Sequence, residues 1–232
     1  MTDYGNNDSI MMTIGPLSIS DTVVITWGIM LLLGLFAWMI NRHLTLKPSV
    51  LQAAVEGLVS ALEKAVSNIT PQYARELMPF IGSLWIFLVV ANLIGLIPGL
   101  NSPTSDLSVT SALACLVFLS VHWFGIRIQG LKNYLHHYLT PSPILLPFHI
   151  IGEITRTIAL AVRLFGNMMS LEMAALLILM VAGLLVPVPI LMLHIIEALV
   201  QAYIFGLLAL IFIAGGLQAQ QIKQQKKEES YD

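Results

Sequence analysis

With 232 residues, 57% of them hydrophobic, 10% charged and a mean hydropathy of +0.84, the chain is too apolar for a soluble globular domain, where roughly a quarter of residues carry charge. The formal charge of -2 says little about partners, nothing points to nucleic acid, and the single cysteine, Cys115, excludes an internal disulfide and a thiolate cluster. The composition is that of an all-α polytopic membrane protein treated as one membrane domain over 1–232, with five membrane-embedded helices and one amphipathic surface helix expected.

Residues 1–21 are expected to form an outer segment. Asp3 and Asp8 lie there and the first twenty residues contain no Lys or Arg, so a secretory n-region is lacking and the start is expected to be retained. Residues 22–40 are long enough to cross about 30 Å of hydrocarbon. Arg42, His43 and Lys47 follow, and Pro48 opens a segment over 49–69. There Leu51, Val55, Leu58, Leu62, Val66 and Ile69 recur at helical spacing, with Gln52, Glu56, Ser60, Glu63 and Lys64 on the other side. That pattern predicts an amphipathic helix along the membrane surface or packed edgewise on the others.

The next spans are 77–97, ended by Pro98-Gly99, and 107–125. Asn92 inside the first is suited to bonding across helices. Asp106 stands at the head of the second, where a carboxylate favours the positive end of the dipole. Arg127, Lys132, His136 and His137 follow in a polar stretch that ends at Pro141, Pro143 and Pro147. The adjacent histidines have no third ligand at a convincing spacing, so no metal site is expected.

Two very long helices close the chain, over 148–185 and 190–221, joined at Val186-Pro187-Val188-Pro189. At 1.5 Å per residue they measure about 57 Å and about 48 Å, so neither stands upright in about 30 Å of hydrocarbon. A strongly tilted hairpin is expected. The polar tail, 222–232, reads as a frayed solvated end.

Arg163 concentrates the information. Between Ile158 and Leu184 the only ionisable side chains are Arg163 and Glu172. A guanidinium at bilayer depth costs from roughly 2.5 to 17 kcal/mol unless it meets a partner or an aqueous cavity. It does not deprotonate, so it supplies a fixed field rather than carrying a proton. Asn167 shares its helical face, while Glu172, about 900° further round, lies opposite. Snorkelling to the interface or a buried ion pair is the bland alternative.

On the last helix His194, Glu197 and Gln201 fall at i, i+3 and i+7 and share one face, a polar stripe suited to a water-lined path. Glu153, Thr155 and Arg156 begin the preceding helix, with Glu153 and Arg156 spaced for an ion pair. Apart from Arg156 and Arg163, all nine remaining Lys and Arg lie on one side if the chain crosses five times. The positive-inside rule then puts the N-terminus outside and the C-terminus in the cytoplasm. Two half-channels ending on opposite sides of Arg163 use all these groups, one running through Glu172, His194 and Glu197 and one opening to the basic face. No phosphate-cradling glycine loop precedes a lysine, so no nucleotide site and no cofactor is expected in this chain.

Arg163-Leu164-Phe165-Gly166-Asn167 with Glu172, Asn92-Leu93-Ile94-Gly95-Leu96-Ile97-Pro98, Pro103-Thr104-Ser105-Asp106-Leu107 and Gln201-Ala202-Tyr203-Ile204-Phe205 resemble, in order, the signatures of the a subunit of rotary F-type ATP synthases. The resemblance covers most of the chain from about residue 75. It implies a non-catalytic stator subunit in the bacterial inner membrane. Its partners are the c-ring subunits, the b subunits of the peripheral stalk, the rest of the F1Fo complex and lipid. Arg163 matches the essential stator arginine and Asn167 its neighbour. Glu172 and His194 match the acid and histidine of the outer half-channel, and Gln201 the glutamine that approaches the arginine. Glu197 is extra relative to some members. The transported ion, H+ or Na+, stays open, and the alternative function is a standalone channel or secondary transporter, which predicts an inverted repeat.

Overall fold

The computed structural model describes residues 10–14, 17–42, 49–97, 100, 102–130, 146–182 and 187–228. Residues 1–9, Lys132, His136, His137, Val186 and 229–232, about which the sequence raises expectations, lie outside them. Described in chain order are two short strands, β1 (Ile10–Ile14) and β2 (Leu17–Ser20), then α1 (Asp21–Arg42), α2 (Val50–Ile69) and α3 (Ala74–Ile94). A single 3-10 turn at Pro103–Ser105 precedes α4 (Leu107–Gln129), α5 (Leu146–Ala182) and α6 (Pro187–Glu228).

Five of the helices, α1 and α3 to α6, are long and apolar enough to cross a membrane. With the amphipathic α2, they make the all-α membrane protein that the composition implies. The strands are an addition. They pair antiparallel with Ile14 opposite Leu17 and Thr13 opposite Ser18, in a segment that the hydropathy pattern left without an element.

Helix ends outrun the apolar stretches in several places. α3 starts at Ala74 rather than at residue 77, taking in Arg75 and Glu76, and α6 continues to Glu228 through Gln220, Gln221, Lys223 and Lys226. Arg, Gln, Glu and Lys are good helix formers, so helix persists where hydropathy has already fallen. The tail therefore begins as helix rather than as a frayed end. Pro187 and Pro189, expected in the turn, lie in the first turn of α6, where a missing N–H costs nothing. At 37 and 42 residues, α5 and α6 are about 55 and about 63 Å long.

The core forms where α3, α4, α5 and α6 meet. Leu77, Ile81, Trp85 and Leu88 of α3 pack with Val117 of α4, Leu160, Leu164 and Met168 of α5, and Phe205, Leu210 and Ile213 of α6. Ala198, Ala202 and Ala209 of α6 are fully buried, and small side chains at such a seam let two helix backbones approach. Gly206 completes the seam. A Cβ there would overlap the Trp85 indole, which stacks on Tyr203 at 6.0 Å and donates its Nε1–H to the Tyr203 carbonyl at 3.2 Å.

α2 is capped by Ser49, whose hydroxyl accepts from the Gln52 N–H at 3.3 Å. Its C-terminal half packs Leu62, Val66 and Ile69 on the core, while Val50, Leu51 and Leu58 stay exposed. α1 touches α3 at the periphery, with Trp27, Leu31 and Trp38 on the outside. An outer surface this apolar suits lipid rather than water.

Candidate functional site

α5 brings its functional side chains to different neighbours. Leu160, Leu164 and Met168 turn inward and are buried, so the helix offers Arg163 to the outside, where it is exposed. Among the described residues Arg163 has no ion pair. It stands about midway along the apolar stretch Ile150–Ile178, about 20 Å from either end at the helical rise. Four residues on, Asn167 Nδ2 donates to Gln201 Oε1 of α6 at 2.8 Å. The guanidinium is thus displayed beside the α5–α6 seam, not folded into it.

Glu172 turns the other way. Its Oε1 accepts the backbone N–H of Ser102 at 2.9 Å, in the connection between α3 and α4. Gly95, at the end of α3, makes room for this approach. A Cβ there would lie 2.9 Å from Ser102 Cβ and 3.4 Å from Glu172 Oε1, so a larger residue would press the connection off the carboxylate.

From Ser102 a buried polar chain runs inward. Ser102 Oγ lies 2.7 Å from Thr104 Oγ1 and 3.0 Å from the Ala91 carbonyl, and Thr104 Oγ1 lies 2.7 Å from Asn92 Oδ1. Asn92 Nδ2 donates to the Ala198 carbonyl of α6 at 3.1 Å, which fixes its oxygen as the acceptor for Thr104. Three contacts between oxygens have to be served by two hydroxyl protons. Ser102 donates to Ala91 and Thr104 to Asn92, or Ser102 donates to Thr104 and Thr104 to Asn92, or Thr104 donates to Ser102 and Ser102 to Ala91. The two hydroxyls can therefore reverse direction without moving a heavy atom.

The polar face of α6 meets the far end of this chain. His194 and Gln201 flank Ala198 and are 2% and 1% exposed. Among the described residues His194 Nε2 and Gln201 Nε2 have no hydrogen-bond partner. Turning the Asn167 and Gln201 amides over exchanges their roles but still leaves one Gln201 atom unmatched. An orphaned buried polar atom costs about 1–3 kcal/mol, so each of these two nitrogens calls for a partner beyond the described residues. Glu197, one turn from His194, is half-buried.

The remaining polar residues divide. Asp106 caps α4, its Oδ1 accepting from the Ser108 N–H at 2.8 Å and from the Ser108 hydroxyl, a structural role. Near the start of α5, Arg156 lays its guanidinium over the Phe212 ring of α6 at 5.2 Å, and Glu153 Oε2 reaches His122 Nε2 of α4 at 3.5 Å. The i, i+3 spacing of Glu153 and Arg156 had suggested a pair within one helix; these contacts direct each residue to a different neighbouring helix.

The model of the ATP synthase A chain family matches residues 23–214. The chain belongs to that family. ATP synthase subunit a 2 of Pelobacter propionicus is 62% identical over 216 residues, covering 93% of this chain and 95% of that one. ATP synthase subunit a 1 of Hahella chejuensis is 63% identical over 214 residues, covering 92% and 91%. ATP synthase subunit a of Legionella pneumophila is 56% identical over 214 residues, covering 92% and 93%. With its apolar helices, the chain is a multi-pass membrane protein of ion transport.

Three polar members of the site, Ser102, Thr104 and His122, carry no role of their own in the sequence, Thr104 entering only as part of the Pro103–Leu107 signature. Ser102 and Thr104 sit among turn-forming residues, Asn101-Ser102-Pro103-Thr104-Ser105, where hydroxyls are commonplace. Burial of both, at 1% and 0%, distinguishes them. His122 stands in an apolar helix, and its partner comes from another helix.

Proposed function

We propose that the chain is the stator subunit a of a rotary F-type ATP synthase, passing H+ or Na+ to and from the carboxylates of a rotating c-ring through two half-channels. The observation that carries this reading is an exposed guanidinium, Arg163, midway along an apolar helix, with no acidic partner among the described residues. In a bilayer such a charge needs a partner from a neighbouring chain or from water. A ring of carboxylates sliding past it supplies one at a time, and each must be ionised to face the arginine.

Glu172, Asn167, His194, Glu197 and Gln201 belong to one path. The Ser102–Thr104–Asn92 chain and the two orphaned nitrogens beside Ala198 support it. Glu153 and Arg156 belong to the other, at the basic end. Asn92 serves the first path through its link to α6, while Asp106 supports it only by holding the head of α4. Neither path crosses alone, so ions pass by riding the ring. The rest of the F1Fo complex, including the b subunits of the peripheral stalk, holds this chain still, in a bacterial inner membrane with the N-terminus outside and the C-terminus in the cytoplasm.

The test is ATP-driven ion uptake by the complete complex in vesicles. Arg163→Ala is expected to abolish uptake in a complex that still assembles, and unchanged uptake rejects the reading. A parallel series with and without sodium identifies the ion.

A further inference from the structure

The His122–Glu153 contact belongs to neither the arginine nor the buried hydroxyl chain, and its geometry restricts where protons can be. His122 Nδ1 lies 2.9 Å from the Phe118 carbonyl. A carbonyl only accepts, so Nδ1 carries a hydrogen. In a neutral imidazole that leaves Nε2 with a bare lone pair, and Nε2 is the atom 3.5 Å from Glu153 Oε2. Two lone pairs facing each other repel. The contact is attractive when one further proton occupies it, as imidazolium beside carboxylate or as imidazole beside carboxylic acid.

From this we infer that His122 and Glu153 hold one shared proton at the basic end of the ion path, so that Glu153 accepts or releases an ion only as that proton moves. The inference rests on the stator reading above and deepens it by naming a positioning residue, His122, on α4. The exchange balances: a proton leaves the pair as a monovalent cation reaches the carboxylate, and returns as the cation leaves. When the cation is itself a proton, the pair is a relay.

The site suits this use. The side chains are 30% and 26% exposed on the isolated chain, so neither is sealed within the protein, and His122 lies about 9 Å along the axis from Ile128 at the end of its apolar stretch. Glu153 stands ten residues before Arg163, about 15 Å along α5. The ring of Phe118 lies 4.5 Å from the imidazole and limits its rotation. The other charged or titratable histidine, acidic and basic residues on the elements around the pair are Arg127 on α4, His149, Arg156, Arg163 and Glu172 on α5, and Arg75 and Glu76 at the head of α3. α6 brings none between Glu197 and Lys223.

His122→Gln keeps a donor for Glu153 but cannot lose or gain the shared proton. ATP-driven uptake by the complete complex, followed against pH on the ATP side, is expected to fall about tenfold near neutrality and to follow pH differently from the wild type. Glu153→Gln is expected to do the same, and the double variant to be no worse than either single one. Wild-type rate and pH profile in His122→Gln, or losses that multiply in the double variant, overturn the inference. Arg163→Ala is run alongside. If it abolishes uptake while His122→Gln changes nothing, only the shared proton is lost; if it too changes nothing, the stator reading falls as well. Nitrogen NMR of the unaltered complex needs no variant. Val121-His122 is the only Val-His pair in the chain, so labelling valine carbonyl carbon and histidine nitrogen selects this histidine. Nδ1 is expected to be protonated throughout, and a neutral ring protonated at Nε2 alone contradicts the pair.

Discussion

Removing the Thr104 hydroxyl separates wiring from packing, because valine fills nearly the same volume without the proton. Thr104 links Ser102 to Asn92, and its loss leaves the Asn92 oxygen unpaired in a fully buried place, at about 1–3 kcal/mol. Thr104→Val is expected to leave the complex assembled and to slow ATP-driven uptake by about tenfold, roughly 1.4 kcal/mol of barrier. Wild-type uptake would remove the hydroxyl chain from the path. Arg163→Lys is expected to fail despite the shared charge, since a lysine in a dry site can give up its proton; near-normal pumping would contradict a fixed field. At this scale much was legible in the sequence. Arg163, Glu172 and Gln201 stand out because ionisable and amide groups are costly in apolar helices. Ser102, Thr104 and His122 did not stand out, since their significance lies in contacts between distant parts of the chain that no periodicity encodes.

Between elements, the tightest test lies at the seam of α3 and α6. Gly206 lies under the Trp85 indole, so Gly206→Ala forces the two helices apart or turns the indole off the Tyr203 carbonyl. Overpacking of this kind costs about 1–3 kcal/mol. Thermal unfolding of the purified complex should show the a chain dissociating at a lower temperature, and an unchanged midpoint would mean that the indole gives way freely. Gly95→Ala acts on function instead, pushing Ser102 from Glu172, and is expected to slow uptake more than it lowers stability. The helices themselves were readable because long apolar runs have few alternatives in a bilayer. Their ends were not, because Gln, Lys and Glu continue a helix, as in α6, after hydropathy has stopped marking it. The pairing of β1 with β2 was equally hidden, being a matter of cross-strand register.

For the whole molecule, the claim is that a stationary charge stands between two water paths that do not meet. Each elementary charge crossing the membrane is worth about 2.3 kcal/mol per 100 mV, so any route past Arg163 that avoids the ring would dissipate the gradient. The proposed five crossings would put the basic ends of α1 and α4 and the far end of α6 on one face, and labelling from the other face is expected to reach the residues before α1 but not those after Lys223. The most direct measurement compares pumping with leakage in the same vesicles. ATP-driven uptake and passive ion flux under an imposed potential are recorded for the wild-type complex and for Arg163→Ala. The account predicts that the variant loses uptake while its passive flux persists or rises, with the complex intact. Uptake equal to wild type, with no change in passive flux, would contradict it.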